Sequence, residues 1–319
     1  MSNQYIFAVA RIRKKELELL TREFMEQLLA APGEEACLQL LYEKGYGTAG
    51  QTANELFEEE ERKTWQLIGE LVPDVKVFDV LRLQNEYHNL KAAIKETCTA
   101  GTHPGIYLNG SIAPEQLEKI LLEREFRKLP DPMQEPAARA LDVLLTLRDG
   151  QMCDCIIDRA ALDRIRETAE ASEGEILPLY GELTVAAADI KIAVRSAKTG
   201  KGQDFMKQAM AQCRTLDLRR LSQAAAAGLE EVISYLKNTA YADCAEEIRK
   251  STAALECWCD NLLIRSIRPQ LRNSFGIDPL AAYILARRIE SRSLRMILTG
   301  KRNGFDEEEI RGRIRETYV

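Results

Sequence analysis

One short pattern occurs three times in this chain, at intervals of about 100 residues, and it constrains the fold more than any other feature. In each copy a small polar residue precedes a branched aliphatic residue, a basic residue and an apolar stretch. The copies are Asn89-Leu90-Lys91, Asp189-Ile190-Lys191 and Ser293-Leu294-Arg295. Since Leu90, Ile190 and Leu294 are 100 and 104 residues apart, the pattern predicts three related units, each large enough for a core of its own.

A second match supports the same register. Thr199-Gly200-Lys201 aligns with Thr299-Gly300-Lys301, and a helical pattern follows each. We expect both glycines to be helix C-caps, because glycine adopts the left-handed conformation and lysine suits the negative end of the helix dipole. Neither sequence is a phosphate-binding loop, which needs a glycine five residues earlier and Ser or Thr after the lysine.

Helical periodicity dominates the rest of the chain. Leu17, Leu20, Phe24 and Leu28 fall on one face of a predicted helix, which Pro32-Gly33 ends. Alternating β-branched runs are almost absent, and only 18 Gly and 10 Pro interrupt the strong helix formers. The predicted fold class is therefore all-α.

The charge and hydropathy patterns exclude several classes of protein. The 44 basic and 50 acidic residues give a net charge of −6, which disfavours general nucleic-acid binding. No apolar run reaches the length of a membrane-spanning helix, about 18 residues or more. The first basic residues follow the N-terminal apolar run, the reverse of a signal peptide, so we expect a cytoplasmic protein with free thiols.

Few residues suit acid–base or metal chemistry. The chain has two histidines, His88 and His103, and we interpret His88 as exposed or interfacial rather than catalytic. Two Cys-x-Cys pairs, 153–155 and 257–259, offer four thiolates for zinc. On a helix, however, residues i and i+2 point about 200° apart, so buried structural cysteines are the favoured interpretation.

Two charged features have alternative interpretations. The acidic run Glu58–Glu61 is either a solvated helix face or a docking patch for basic partner loops. Glu86, Lys91, Glu290 and Arg295 recur between the units, so with Asn89 we predict that they build the units and only secondarily form interfaces. No catalytic, cofactor-binding or metal-binding residue is predicted.

Several motifs carry a family resemblance. They are Tyr5-x-x-Ala8-x-Ala10-Arg11-Ile-Arg13, Glu86-x-x-Asn89-Leu-Lys91, Asp278-Pro-Leu-Ala-Ala-Tyr283 and Glu290-x-x-Ser-Leu-Arg295-x-Ile-Leu-Thr-Gly-Lys301. Together they resemble the C subunit of the bacterial and archaeal V/A-type rotary ATPases, the counterpart of the d subunit in the eukaryotic V-ATPase. The middle unit departs from the pattern, since Ala186 stands where the other units have Glu86 and Glu290.

The resemblance implies a specific architecture and role. It implies a funnel of three helical lobes with pseudo-threefold symmetry, which we place at residues 1–126, 127–214 and 215–319. It also implies a non-catalytic central-stalk socket between the D and F subunits of the shaft and the membrane rotor (c/K) ring, in a complex that transports H⁺ or Na⁺ or makes ATP. Such a protein binds no nucleotide itself and lies on the cytoplasmic face of the membrane.

Two other functions stay open from the sequence. The chain is alternatively a free-standing α-helical scaffold that shares the repeat by ancestry and has no rotor role. A helical enzyme that uses the thiol of Cys153 or Cys257 is the weaker alternative, because no histidine motif accompanies either cysteine.

Overall fold

The computed structural model describes residues 5–98 and 105–319, and it is helical throughout. The α-helices are α1 Ile6–Glu16, α2 Arg22–Ala30, α3 Glu34–Glu43, α4 Ala53–Leu71, α5 Leu83–Glu96, α6 Pro114–Leu122, α7 Asp131–Leu147, α8 Gly150–Glu170, α9 Ile176–Thr199, α10 Gln203–Ala209, α11 Leu218–Ala227, α12 Leu229–Leu236, α13 Ala245–Lys250, α14 Thr252–Ile267, α15 Asp278–Arg302 and α16 Glu307–Arg311. Short 3₁₀ helices span Val75–Leu81, Phe126–Lys128, Ala242–Cys244 and Arg268–Arg272. Within these two described ranges there is no β-strand, so the all-α prediction is confirmed. His103 lies outside the described residues.

The chain divides into two compact units, and each is assembled from separated stretches of sequence. Unit 1 combines Met1–Val77, Glu173–Leu177 and Asp243–Val319, so both ends of the chain contribute to it. Unit 2 combines Phe78–Ser172 with Pro178–Ala242. The boundaries of the three expected lobes stay a prediction.

The start of the chain differs from the expected single helix across Leu17 and Leu28. Helix α1 ends at Glu16 and α2 begins at Arg22, because the Thr21 side chain caps α2 by accepting the N–H of Phe24 at 3.4 Å. The break turns Leu20 into the core of unit 1 and leaves Leu17 83% exposed. The leucine spacing therefore predicted one helix, whereas the structure has two, and Thr21 caps the start of the second.

Helix α15 is the centre of unit 1, and 14 of its 25 residues are buried. Its apolar side packs with residues from the start of the chain, including Leu28, Leu41 and Leu56. Helix α4, one of its neighbours, begins with a capping box in which Thr52 and Glu55 satisfy each other's backbone N–H groups. The packing thus joins stretches more than 200 residues apart.

The two expected glycine caps have different outcomes. Gly200 follows the end of α9 with a φ of +68°, which confirms that prediction. The prediction for Gly300 is wrong, because α15 continues to Arg302 and the left-handed glycine is Gly304, at φ +66°. Gly300 is instead buried against α16, where a Cβ atom would lie 2.6 Å from Cγ1 of Ile310.

Unit 2 has a separate core built from α5, α6, α7 and α8. Helix α7 begins at Asp131, with Pro132 in its first turn where the missing N–H is tolerated, and it contains Pro136. Pro136 has no N–H to bond the carbonyl of Pro132 one turn earlier, and the hydroxyl of Tyr87 donates to that carbonyl at 3.3 Å. A side chain of the first repeated helix therefore replaces the missing backbone bond.

Candidate functional site

Three buried polar side chains sit at the position that the sequence repeat aligns, one on each of α5, α9 and α15. Asn89 accepts the N–H of Leu108 and donates to its carbonyl, both at 2.8 Å. Asp189 accepts the N–H of Ala211 at 3.0 Å, and the Ser293 hydroxyl accepts the N–H of Arg315 at 3.1 Å. We term these contacts the backbone clamps.

The backbone clamps share one geometry. Each joins a repeated helix to a non-helical segment, and the partner lies 19, 22 and 22 residues after the side chain. Buried backbone N–H groups outside regular structure need a partner, because leaving one unpaired costs about 1–3 kcal/mol. The recurring polar residue therefore fixes the segment that leaves each repeated helix.

Glu86 reinforces the first clamp. Its carboxylate accepts the N–H of Ser111 at 2.7 Å, and Gly110 lies so close that a Cβ there would be 2.6 Å from Nδ2 of Asn89. Nε2 of His88 is 2.9 Å from the carbonyl of Ile106. Glu86, His88 and Asn89 thus all hold the segment 106–111, which accounts for the histidine without any acid–base role.

Helix α9 supplies the corresponding acid from a different position. Residue 186 is alanine, and Glu182, one turn earlier, accepts the N–H groups of Arg214 and Thr215 at 2.9 and 2.8 Å. Its carboxylate also accepts the Thr215 hydroxyl at 2.6 Å. The sequence comparison missed Glu182, although an acid four residues before Ala186 lies on the same helix face.

Glu290, the third acid, lies in a buried polar network. It accepts the N–H of Leu20 and the Tyr46 hydroxyl, each at 2.6 Å. Arg287 donates to Glu290 at 2.6 Å and to Glu60 at 2.5 Å. Glu60 also accepts the N–H of Gly47 at 2.9 Å. The network therefore links α15 to three places in the first 60 residues.

The electrostatics of this network keep its cation and its phenol protonated. Burial alone lowers the pKa of Arg287, but the neighbouring groups, above all the charge of Glu290, raise it above its ordinary value. Burial, followed by the charge of Glu290, raises the pKa of Tyr46 as well. Both groups are thus fixed hydrogen-bond donors, and neither is available for proton transfer at neutral pH.

The two aligned basic residues have different contacts. Lys91 forms an ion pair with Asp158 on α8 at 2.6 Å. The guanidinium of Arg295 lies 4.2 Å from the ring centroid of Phe57, and burial lowers its pKa, opposed by Glu61 and Glu58. The acidic run is therefore not uniformly solvated. Glu60 forms hydrogen bonds within the buried polar network, and the charges of Glu61 and Glu58 partly offset the effect of burial on the pKa of Arg295. Whether any of these residues also contacts a partner stays a prediction.

The thiols of Cys153 and Cys257 and the charged side chains of the groove between α7 and α8 are poorly suited to catalysis. Cys153 packs in the core of unit 2, where burial raises the pKa of its thiol to about 11. Burial also raises the pKa of Cys257. A groove of about 390 Å³ between α7 and α8 is lined by arginines that form ion pairs with acids along the same helix, such as Arg139 with Glu135. Protonated thiols and paired charges are poor nucleophiles and bases.

Neither a metal cluster nor a membrane span is found in the described part of the chain. Across residues 5–98 and 105–319, no three His, Cys, Asp or Glu side chains are grouped to hold a metal ion. In the same ranges, no helix combines the length and the apolar character that crossing a bilayer requires.

Comparisons with known proteins agree along nearly the whole chain. The model of the family described as "ATP synthase (C/AC39) subunit" matches residues 8–313. The chain is 22% identical over 320 residues to the C subunit of the V-type sodium ATPase of Enterococcus hirae, covering 96% of this chain and 97% of that protein. It is 23% identical over 347 residues to the C subunit of the A-type ATP synthase of Methanocaldococcus jannaschii, covering 96% and 85%.

Proposed function

Because the chain belongs to the ATP synthase (C/AC39) subunit family, we propose that it is the non-catalytic central-stalk socket of a rotary V/A-type ATPase. In this role it couples a central shaft, formed by the D and F subunits, to the rotor ring in the membrane. The complex transports H⁺ or Na⁺ at the expense of ATP, or makes ATP. The chain would then lie on the cytoplasmic face of the membrane, held there by the ring.

The observation that carries this proposal is the family match over residues 8–313, together with two relatives covered almost end to end. Both relatives are named as the C subunit, one of a sodium ATPase and the other of an ATP synthase. A similarity that spans nearly the full length supports the central-stalk role for the whole chain, rather than the sharing of a single domain with this family.

The polar contacts of the repeated helices suit a part that transmits torque. A coupling protein has to resist bending, and buried hydrogen-bond networks hold packed elements in one arrangement. Helix α15 is tied to Leu20 and Glu60 by the buried network and to Arg315 by a backbone clamp. It is thereby held along its length by partners from both ends of the chain.

The test is whether the chain brings the shaft to the membrane. Membranes that carry the rotor ring, but lack this chain, are mixed with purified D–F complex with and without the chain, and bound D–F is measured after sedimentation. We expect D–F to sediment only when the chain is present. Membranes without the ring and a helical protein of similar negative charge are the controls.

Each outcome has a definite meaning. D–F that sediments equally well without the chain would contradict the socket role. A chain that binds D–F but never the ring would be an accessory of the shaft. A chain that binds neither would be the free-standing helical scaffold.

A further inference from the structure

Helix α1 exposes one continuous side that the contacts within unit 1 leave uncovered. Phe7, Ala10, Arg11, Lys14 and Leu17 are all exposed, and their spacing places them on one face, here termed the α1 face. Phe7 is 71% exposed and Leu17 is 83% exposed, the two highest values among the large apolar side chains of the described residues. Isolated exposed apolar residues are ordinary, but Phe7 and Leu17 share one helix face with two cations that form no ion pair in the described part of the chain, which gives this face a defined pattern of apolar and positive groups.

The cations of α1 fall into two groups. Arg13 donates to the carbonyl of Gln270 at 2.6 Å, and Lys15 pairs with Glu18 at 2.8 Å, so both have partners within unit 1. Arg11 and Lys14 form no ion pair with any residue in the described ranges 5–98 and 105–319. The two cations without an ion pair are thus the ones that are exposed on the α1 face together with Phe7 and Leu17.

We propose that the α1 face docks an acidic amphipathic helix of another protein of the ATPase complex. Two carboxylates on that helix would oppose Arg11 and Lys14, and apolar side chains on either side of them would pack on Phe7 and Leu17. These two residues are ten positions apart, about 15 Å along the helix axis, which matches three turns of a partner helix. The inference rests on the proposed function only in requiring that the chain assembles with partner proteins.

Charge favours a protein partner over a lipid surface. The chain has a net charge of −6, and the α1 face has only two unpaired cations, next to the acidic Glu18. Anionic membranes are bound by larger basic clusters, typically four to eight Lys or Arg residues. Two cations at fixed spacing on a rigid helix suit discrete carboxylates, because complementary charges set the register of a helix–helix contact.

The first experiment maps what lies on the α1 face in the intact complex. Phe7 is replaced by the photo-crosslinking residue p-benzoylphenylalanine, the assembled ATPase is purified and irradiated, and crosslinked peptides are identified by mass spectrometry. Lys207, whose side chain is 67% exposed on α10 of unit 2, carries the same replacement as the control. We expect position 7 to crosslink to a helical segment with at least two acidic residues within three turns, and position 207 not to.

The second experiment tests the charges. The variant R11E/K14E should bind the crosslinked partner about 10-fold more weakly than the wild type at low salt, because like charges would then face each other. The variant K207E should bind as the wild type does. Both replaced positions of the double variant are exposed, so circular dichroism spectra and melting temperatures should stay unchanged.

The outcomes separate this proposal from the proposed function. A complex that assembles normally, but gives at position 7 no crosslink, a lipid adduct or a non-acidic segment, overturns the docking proposal alone. Unchanged binding of R11E/K14E overturns it as well. A chain that fails to copurify with any protein of the ATPase overturns both.

Discussion

Replacing Asp189 by asparagine should stabilise the protein at alkaline pH, although it removes a buried hydrogen-bonding carboxylate. Asp189 is fully buried, and only one of its oxygens is used, by the N–H of Ala211. Its other oxygen has no hydrogen-bond partner in the described part of the chain. The corresponding clamp residues, Asn89 and Ser293, are both neutral, so a carboxylate is the exception at this position.

Burial raises the pKa of Asp189 from 3.8 to about 8, and the charge of Arg159 only partly offsets this. Asp163 and Glu182 also face the group and raise its pKa further, and the thiol of Cys213 lies nearby. The folded state therefore holds a neutral acid, whereas the unfolded chain ionises near pH 4. Stability from this site is complete below pH 3.8 and is lost as the pH rises towards about 8.

The magnitude follows from that pH window. Each unit of pKa difference corresponds to about 1.4 kcal/mol, so the wild type should lose about 4 kcal/mol of unfolding free energy between about pH 5 and pH 8, relative to a variant that cannot ionise. The amide has one more donor than the neutral acid, and leaving it unpaired costs about 1–3 kcal/mol unless it finds a carbonyl, as Asn89 does. That cost is independent of pH and cancels in the comparison.

The assay is urea unfolding of wild type and D189N at pH 5 and pH 8, followed by far-UV circular dichroism. D204N is the matched control, because the Asp204 side chain is 92% exposed and should show no such difference. Parallel changes in the unfolding free energy of wild type and D189N between the two pH values would show that Asp189 is already ionised in the fold, and the reasoning would be wrong.

Three further predictions test other parts of the molecule. R287M should lower the unfolding free energy by about 3–5 kcal/mol in urea, because it leaves Glu290 as an uncompensated buried acid, whereas Glu60 keeps its ion pair with Lys63. The double variant R287M/E290M should recover part of the loss, and no recovery would contradict the pairing. G300A should destabilise the protein by about 1–3 kcal/mol in thermal melts, because the new Cβ atom overlaps Ile310. G69A is the control, since a Cβ atom there meets nothing within 4 Å, and it should stabilise the protein by about 0.5–1 kcal/mol. Equal effects of the two variants would exclude the steric explanation. Detachment of the chain from ring-bearing membranes should increase as salt is raised from about 0.05 to 0.5 M. The reason is that a body with the three expected lobes would match a ring of many protomers only through polar, adaptable contacts, and release that does not depend on salt would contradict this.

The sequence predicted the features that depend on residues close together in the chain. The helical class and the cap at Gly200 both follow from local propensity. The repeat also located Asn89, Asp189 and Ser293 at one equivalent position, although not their role as backbone clamps. Local signals were sufficient there because each feature involves neighbours along one helix or its end.

Predictions from the sequence were wrong or missing where contacts with distant segments determine a residue's environment. Gly300 matched a cap pattern, but its side of α15 is covered by Ile310, and glycine is needed there for close approach. No sequence pattern identified Arg287, because its partners, Tyr46 and Glu60, are 241 and 227 residues away in the chain. Glu182 was missed because the alignment required an acid at position 186, whereas the contact needs only an acid on that helix face.

The acids of the repeated helices show why the two ends of the chain share a unit. Glu86 and Glu182 each hold a backbone N–H that lies later in the sequence, at Ser111 and Thr215. The backbone N–H that Glu290 accepts belongs instead to Leu20, 270 residues earlier. The third repeated helix therefore takes its partner segment from the start of the chain, and the buried Arg287 network secures that contact. Each repeated helix is in this way tied to a segment outside it by a carboxylate, and only for the third does that segment come from the opposite end of the chain.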